Sequence, residues 1–528
     1  MLRFSSIKKI VFADGITEIG GYAFDNLNEL ESVIISDSVI TIGERAFYGC
    51  DKLVSIDIGK NVTDMEFQAL YPTGYSEQNS NWENGALYLD NYLLFADNEY
   101  AGVFSVKEGT KLISSKAFAE CTGITEIILP DSVEIVGNSG FYNCKNLVSL
   151  TIGKGLTTVD EAAFSGCDKL QNIYISDISS YCKINFCDSL LKIADNLYLN
   201  QELLTSLTVP DGVETIGSHT FSYYDKLTDI KLSDSVTSIG DYAFAYSANL
   251  KTIDLGNKLT KIGIGTFAAT AISGIVIPDS VIAIGESAFG TCEKLTDIRI
   301  GNGITHMGRW IFSGSGYYNN SANWDNDVLY VGNYLVDAKE TMPSEYFVKT
   351  GTRVIAQSAF YYATKLESVS IPESVISIGR WAFSFCEKME KVKVPKTVMY
   401  IETNAFSKKT ILCGYADSEI EKYAFDSQNP YFEIMEETDL VSVSALETDN
   451  KICISITPKV NITNKSVFSA IYDFSGKLID AKDANAYLIS GEPIKIDSVD
   501  GAFCVRVFVW DDFKTMKPTS VAAKTVIE

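Results

Sequence analysis

A phenylalanine, usually preceded by alanine, returns along this chain as Phe24, Phe47, Phe67, Phe118, Phe141, Phe164, Phe221, Phe244, Phe267, Phe289, Phe312, Phe360, Phe383 and Phe406, and most neighbours are 23 residues apart. Self-similarity at a fixed period of this size marks a repeat architecture and constrains the fold before any local motif does. A glycine four residues before the phenylalanine recurs as Gly20, Gly43, Gly137, Gly217, Gly240, Gly263, Gly285, Gly308 and Gly379. An aliphatic residue stands twelve before it, as at Ile277, Ile300 and Ile371. The unit reads LxxIxIPxSVxxIGxxAFxxC.

Its first part, LxxIxI, ends with apolar residues two apart, the period of a strand with one buried face. Pro130, Pro210, Pro278, Pro372 and Pro395 follow that strand, where a missing N–H ends the hydrogen-bond ladder. A turn and a second extended piece, SVxxIG, then carry the chain back. The glycine either lets neighbouring backbones approach closely or takes a positive φ at the corner. One such coil is too small to bury its apolar side, so coils must stack and bury Leu, Ile, Val and Phe in columns. Six of the eleven cysteines, Cys50, Cys121, Cys144, Cys167, Cys292 and Cys386, stand three residues after the phenylalanine. Serine, threonine and alanine also occupy that slot, which favours a column of small buried thiols over disulfides or a metal site.

The unit resembles the BspA-type leucine-rich repeats, also called the Treponema pallidum type, over about residues 1 to 435. The resemblance implies a secreted or cell-surface protein of a host-associated microbe, acting as an adhesin or host-interaction protein. The start, MLRFSSIKKIVFADGITEIG, enters the repeat almost at once without the apolar run of a signal peptide, which points to a truncated or processed start.

Composition narrows the function. The 528 residues hold 68 Asp plus Glu against 44 Lys plus Arg, a net charge of −24, which argues against nucleic acid and anionic membrane surfaces. No stretch of 18 or more uninterrupted apolar residues occurs, so membrane insertion is not expected. Only His219 and His306 could supply an imidazole base, and both fall at repeat positions whose occupant varies from coil to coil. No phosphate-binding loop, zinc-protease helix, nucleophile elbow or EF-hand loop is present. The expectation is therefore no enzyme, no catalytic residues, no metal and no cofactor.

Three intervals between repeat phenylalanines are too long, by 28, 34 and 25 residues. Two insertions match each other, SNWENGALYLDNYLLFADNEY and ANWDNDVLYVGNYLVDAKE, and the third is a reduced version, ADNLYLNQELLTSLTVP. Alternating apolar and aromatic residues around Asn- or Gly-rich turns predict β-hairpins projecting from the coils. After Phe406 a helix is expected over 418–425, with Ser418 as N-cap and Glu421 completing a capping box, as part of a cap over about 407–435. From residue 437 to 528 short strands at about ten-residue spacing suggest an antiparallel β-sandwich of immunoglobulin or fibronectin-III type. The Asp-Phe-Ser-Gly hairpin at 473–476 and the Val-Phe-Val-Trp strand at 507–510 resemble a C-terminal sandwich common in modular extracellular proteins of Gram-positive gut bacteria.

The expected architecture is mainly β: a right-handed leucine-rich-repeat solenoid of 23-residue coils with inserted hairpins, over 1–435, followed by the small sandwich. Two surfaces are candidates for binding. Residues between the buried pair of each LxxIxI strand point outward in one column, which includes Asp57, Thr151, Tyr174, Lys231, Asp254, Arg299 and Lys393. An aromatic patch of Trp82, Tyr88, Trp310, Trp324, Tyr330 and Trp381 is the second. The expected partner is a host or cell-surface protein bound by the strand column, with a glycan bound by the hairpin aromatics as the alternative. A scaffold within a larger secreted enzyme is a further alternative. A monomer, located outside the cell or on its surface, completes the expectation.

Overall fold

The computed structural model describes residues 6–434 and, beyond them, seven strands: Val441–Thr448, Lys451–Pro458, Ser466–Asp473, Leu478–Asp483, Ile494–Asp497, Ala502–Trp510 and Pro518–Val526. The chain forms two compact units, Met1–Gly303 with Ile311–Asn319, and Ile304–Trp310 with Asn320–Glu528.

In the first unit each coil contributes two short parallel strands. The LxxIxI strands pair in register with the equivalent residue one repeat away: Ser149 faces Asn172, Leu150 faces Ile173, Thr151 faces Tyr174 and Ile152 faces Ile175. The two-residue strands of the return segment pair likewise, Ile135 with Thr158 and Val136 with Val159. A third ladder runs along the phenylalanine turn, where the N–H of Phe118 donates to the carbonyl of Gly140 at 2.7 Å and that of Phe141 to Ala163 at 2.8 Å. Three ladders therefore satisfy the turn backbone of each coil from its neighbour. The rings stack between them: Phe118 on Phe141 at 4.8 Å, Phe141 on Phe164 at 5.0 Å, and Phe221, Phe244, Phe267, Phe289 and Phe312 at 5.4 to 5.5 Å. That spacing matches the separation of paired strands.

One member of the column is reassigned. Phe47 donates its N–H to the carbonyl of Ala69, as Phe24 does to Ala46, so the third coil places Leu70 where the others place phenylalanine. Leu70 is buried, and Phe67 is only partly so. With Leu70 as the reference, the first insertion spans the same 48 positions to Phe118 that separate Phe312 from Phe360. The two matching segments are insertions of equal length.

The recurring glycine is a close-approach residue. A Cβ on Gly43 would lie 2.5 Å from the Gly21 nitrogen, and one on Gly285 would lie 2.5 Å from the Gly263 carbonyl carbon; neither residue has positive φ. Positive φ falls instead two residues before and two after the phenylalanine, mostly on non-glycine residues.

The hairpins do not project. Strand Tyr92–Ala96 pairs antiparallel with Ala86–Leu89 and parallel with Leu112–Ile113, so the hairpin extends the return-strand sheet. Every residue of Ala86–Leu89 is buried. In the second unit Tyr334–Ala338 joins Val328–Val331 and Val354–Ile355 in the same way. The third insertion departs further: a helix Ile178–Cys182, capped by the Asp177 carboxylate accepting from the Ser179 and Ser180 N–H groups, precedes the small antiparallel pair Asn196–Leu199 and Glu202–Leu203.

The second unit carries its own column, Phe360 on Phe383 at 5.0 Å and Phe383 on Phe406 at 5.3 Å. Helix Glu419–Ser427 closes it, with Tyr423 edge-on to Phe406 at 5.8 Å. The expected capping box does not form. Ser418 is the N-cap, but its hydroxyl donates back to the Tyr415 carbonyl, and Glu421 accepts from the Asp417 N–H at 2.8 Å. The seven strands after residue 440 form two antiparallel sheets, one of three strands and one of four. Residues 474–477, which hold most of the Asp-Phe-Ser-Gly turn, lie outside the described residues.

Candidate interaction surfaces

The strand column points outward as its period requires. Asp57, Lys231, Asp254, Arg299 and Lys393 are exposed, and Thr151 and Tyr174 are half-buried. Tyr174 is shielded because Tyr198, at the same register position on the next strand, stacks on it at 5.1 Å. Sequence reasoning missed Tyr198, although aligning NLYL with NIYI finds it. Around these residues the face is polar. Asp229 accepts from the hydroxyls of Thr252, chiefly, and Thr228, which hold its carboxyl below the usual range. Arg299 reaches Asp297 on its own strand at 3.4 Å. Exposed apolar residues break the pattern at Val11 (59% exposure), Val103 (49%) and Val276 (62%) in the first unit and at Phe347 (74%) in the second.

The aromatic set is split by the structure. Tyr88 and Tyr330 are 5% and 7% exposed and belong to no surface patch. Because the hairpins are absorbed into a sheet, both faces of their strands are covered. The Tyr88 hydroxyl accepts from the Lys107 N–H at 3.3 Å, and the Tyr330 hydroxyl pairs with that of Tyr346 at 3.0 Å. Trp82 is half-buried and donates its indole N–H to the Ser76 carbonyl at 2.7 Å; Trp324 is half-buried with the Lys339 ammonium 4.2 Å from its ring centroid. Trp310, at 48% exposure, and the half-buried Trp381 lie elsewhere, on the turn edge of the second unit. The Arg309 guanidinium sits 4.1 Å from the Trp310 ring centroid and 5.9 Å from that of Trp381.

The turns of both units carry a feature the sequence hid. Tyr22, His219, Tyr242, Trp310 and Trp381, two before the repeat position, have φ of 55° to 57°; Tyr223, Tyr246, Tyr362 and Phe385, two after it, have φ of 61° to 65°. Left-handed backbone costs an L-residue roughly 1–2 kcal/mol, and a bulky residue there is an outlier. Other coils use Asn26, Asn143, Gly49 and Gly166 at the later slot, so aromatics are not needed for the turn. They stack between coils: His219 on Tyr242 at 5.1 Å, Tyr223 on Tyr246 at 4.5 Å and Tyr362 on Phe385 at 5.2 Å.

The thiol column has a structural task. Cys50, Cys144, Cys167 and Cys386 point their Sγ at the carbonyl of the preceding coil's Phe24, Phe118, Phe141 and Phe360, at 3.1 to 3.2 Å, and Ser247 does the same to Phe221 at 2.8 Å. All nine cysteines whose side chains are described are free. Burial raises the thiols, Cys50 to about 11 and Cys121 and Cys386 to about 12. Among the described residues no group of three or more His, Cys, Asp and Glu is placed to hold a metal ion. His219 is half-buried and stacked, and His306 is exposed beside Thr305.

In-register 23-residue coils with a buried phenylalanine column and a free strand face define a leucine-rich-repeat solenoid. The sequence profile of the BspA type leucine rich repeat region matches in six copies, over residues 2–85, 91–193, 191–319 and 353–474, and the chain belongs to that family. No curated protein matches it. Among solved structures it is similar to a leucine rich cell surface protein from Faecalibacterium prausnitzii, at 24% identity over 60% of this chain and 87% of that one, with a TM-score of 0.32. A leucine-rich repeat protein from Bacteroides ovatus shares 20% identity over 77% and 84%, with a TM-score of 0.24. The pneumococcal vaccine antigen PcpA shares 15% over 82% and 90%, with a TM-score of 0.29. Among the described residues no helix is long and apolar enough to cross a membrane.

Proposed function

We propose that this protein is a non-catalytic binding or adhesion protein of the cell surface or extracellular space, and that the outward strand faces of its coils engage a protein partner. The observation that carries this reading is the column itself: five of its seven named residues are exposed, on paired strands whose inward residue is buried at Ile230 and Val392 and half-buried at Ile56, Ile253 and Ile298. Side chains there are free to specify a partner without cost to the fold, and repeat proteins bind along such faces. Family membership supports the location. We further infer that the coils wind right-handedly, that the two C-terminal sheets face each other as a sandwich, and that the chain works as a monomer.

Beads coated with the protein, applied to cultured epithelial cells, test the reading. Adhesion should fall about tenfold when Lys231→Glu, Asp254→Lys and Arg299→Glu are combined, with the thermal midpoint unchanged. Mild protease treatment of the cells should abolish it. Adhesion that survives both, or that is lost only on glycosidase treatment, overturns the proposal.

A further inference from the structure

The third insertion leaves a recess that the repeat does not account for. Between the Phe164 turn and the segment 188–193, within the first unit, a cleft of ≈ 540 Å³ is lined by Asp160, Asp188, Lys192, His219 and Tyr223 among others. Its size falls within the range of about 300–1,000 Å³ usual for small-molecule sites.

Asp160 stands four residues before Phe164, where most coils have glycine. Its half-buried carboxylate accepts no hydrogen bond from the described residues, and desolvation raises its pKa. A carboxylate so placed is open to a donor from a ligand that displaces water. Asp188 accepts from the Ala162 N–H through one oxygen at 2.7 Å, which leaves the other uncommitted. The Tyr223 hydroxyl makes no hydrogen bond among the described residues, and the Lys192 ammonium lies 5.4 Å from its ring centroid. His219 and Tyr223 occupy the left-handed turn slots that other coils share, which fix both half-buried rings at the wall of the cleft.

We propose that this cleft binds a neutral oligosaccharide: sugar hydroxyls donate to Asp160 and Asp188, and the C–H edges of the sugar rings pack against His219 and Tyr223. Two carboxylates against one ammonium disfavour sulfated or sialylated chains. A glycan here leaves the strand faces free, so the site is separate from the protein-binding reading and each can fail alone.

Calorimetric titration of the full chain with maltotriose, cellotriose, mannotriose and triacetylchitotriose tests it. At least one should bind at concentrations up to about 10 mM. Asp160→Gly and Tyr223→Asn install residues that other coils carry at the same slots, so folding is preserved; each should weaken binding about tenfold or more. Thermal midpoint and bead adhesion should not change. The proposal is overturned if none of the four binds, if both variants bind like the parent chain, if a sulfated oligosaccharide binds more tightly, or if the bound trisaccharide is cleaved.

Discussion

Single positions in each coil are governed by backbone contact more than by side-chain chemistry. Gly43→Ala forces a Cβ to within 2.5 Å of the Gly21 nitrogen, and overpacking against backbone that cannot yield should cost about 1–3 kcal/mol in a urea melt. Ala269→Gly, at φ 57°, should instead stabilise by about 0.5–1 kcal/mol in the same measurement. The sequence shows the glycine's recurrence but not which of two demands it meets, because close approach and left-handed backbone select the same residue. The thiol slot is similar. Free exchange of cysteine with serine reads as mere smallness, whereas Cys144 donates to the Phe118 carbonyl at 3.1 Å. Cys144→Ala should lose about 1–3 kcal/mol, and Cys144→Ser should retain most of it.

Elements were legible where the period of two or of 23 is unbroken and were misplaced where it is not. The strands, the twin insertions and the terminal helix all follow from pattern. Leu70 was hidden because a phenylalanine happens to lie three residues earlier, so residue identity overruled position. Alternating apolar and aromatic residues around a turn read as a free-standing hairpin, whereas the parallel pairing of Tyr92–Ala96 with Leu112–Ile113 that absorbs it depends on a register no local pattern carries. Tyr334→Ala should therefore cost about 3–5 kcal/mol of stability, measured by denaturant unfolding, as for a fully buried aromatic. Trp310→Ala, on the exposed turn edge, should stay within about 0.5 kcal/mol. The cleft beside the third insertion was not legible, since Asp160 and Tyr223 hold ordinary repeat slots and only the insertion, which carries Asp188, brings a third wall to them.

At the scale of the whole molecule, stability rests on stacking, without covalent links among the nine described cysteines. Their burial makes the fold sensitive to alkali. A thiol whose folded pKa is raised stabilises the fold fully below its unfolded value near 8.5 and loses that contribution as pH climbs toward its folded value. For Cys50, Cys121, Cys182 and Cys386, with folded values of about 11 to 12, the loss is about 1.4 kcal/mol per thiol for each pH unit above the unfolded value. The thermal midpoint should hold from pH 6 to 8 and fall steeply by about pH 10, and replacing these cysteines by serine should flatten the decline. A thiol reagent at neutral pH should label Cys187, the exposed one among the nine, before the others.

Within an uninterrupted run of coils the three ladders repeat the same bonds from one coil to the next, as in the pairing of Asp229 with Thr252 and of Tyr223 with the Ala245 carbonyl. Removing a whole period, such as residues 229–251, presents each surviving neighbour with an equivalent partner, whereas removing one residue shifts every later side chain to the wrong wall. Genes for such chains can therefore lengthen or shorten by recombination in steps of one coil, adjusting reach while the join itself stays invariant.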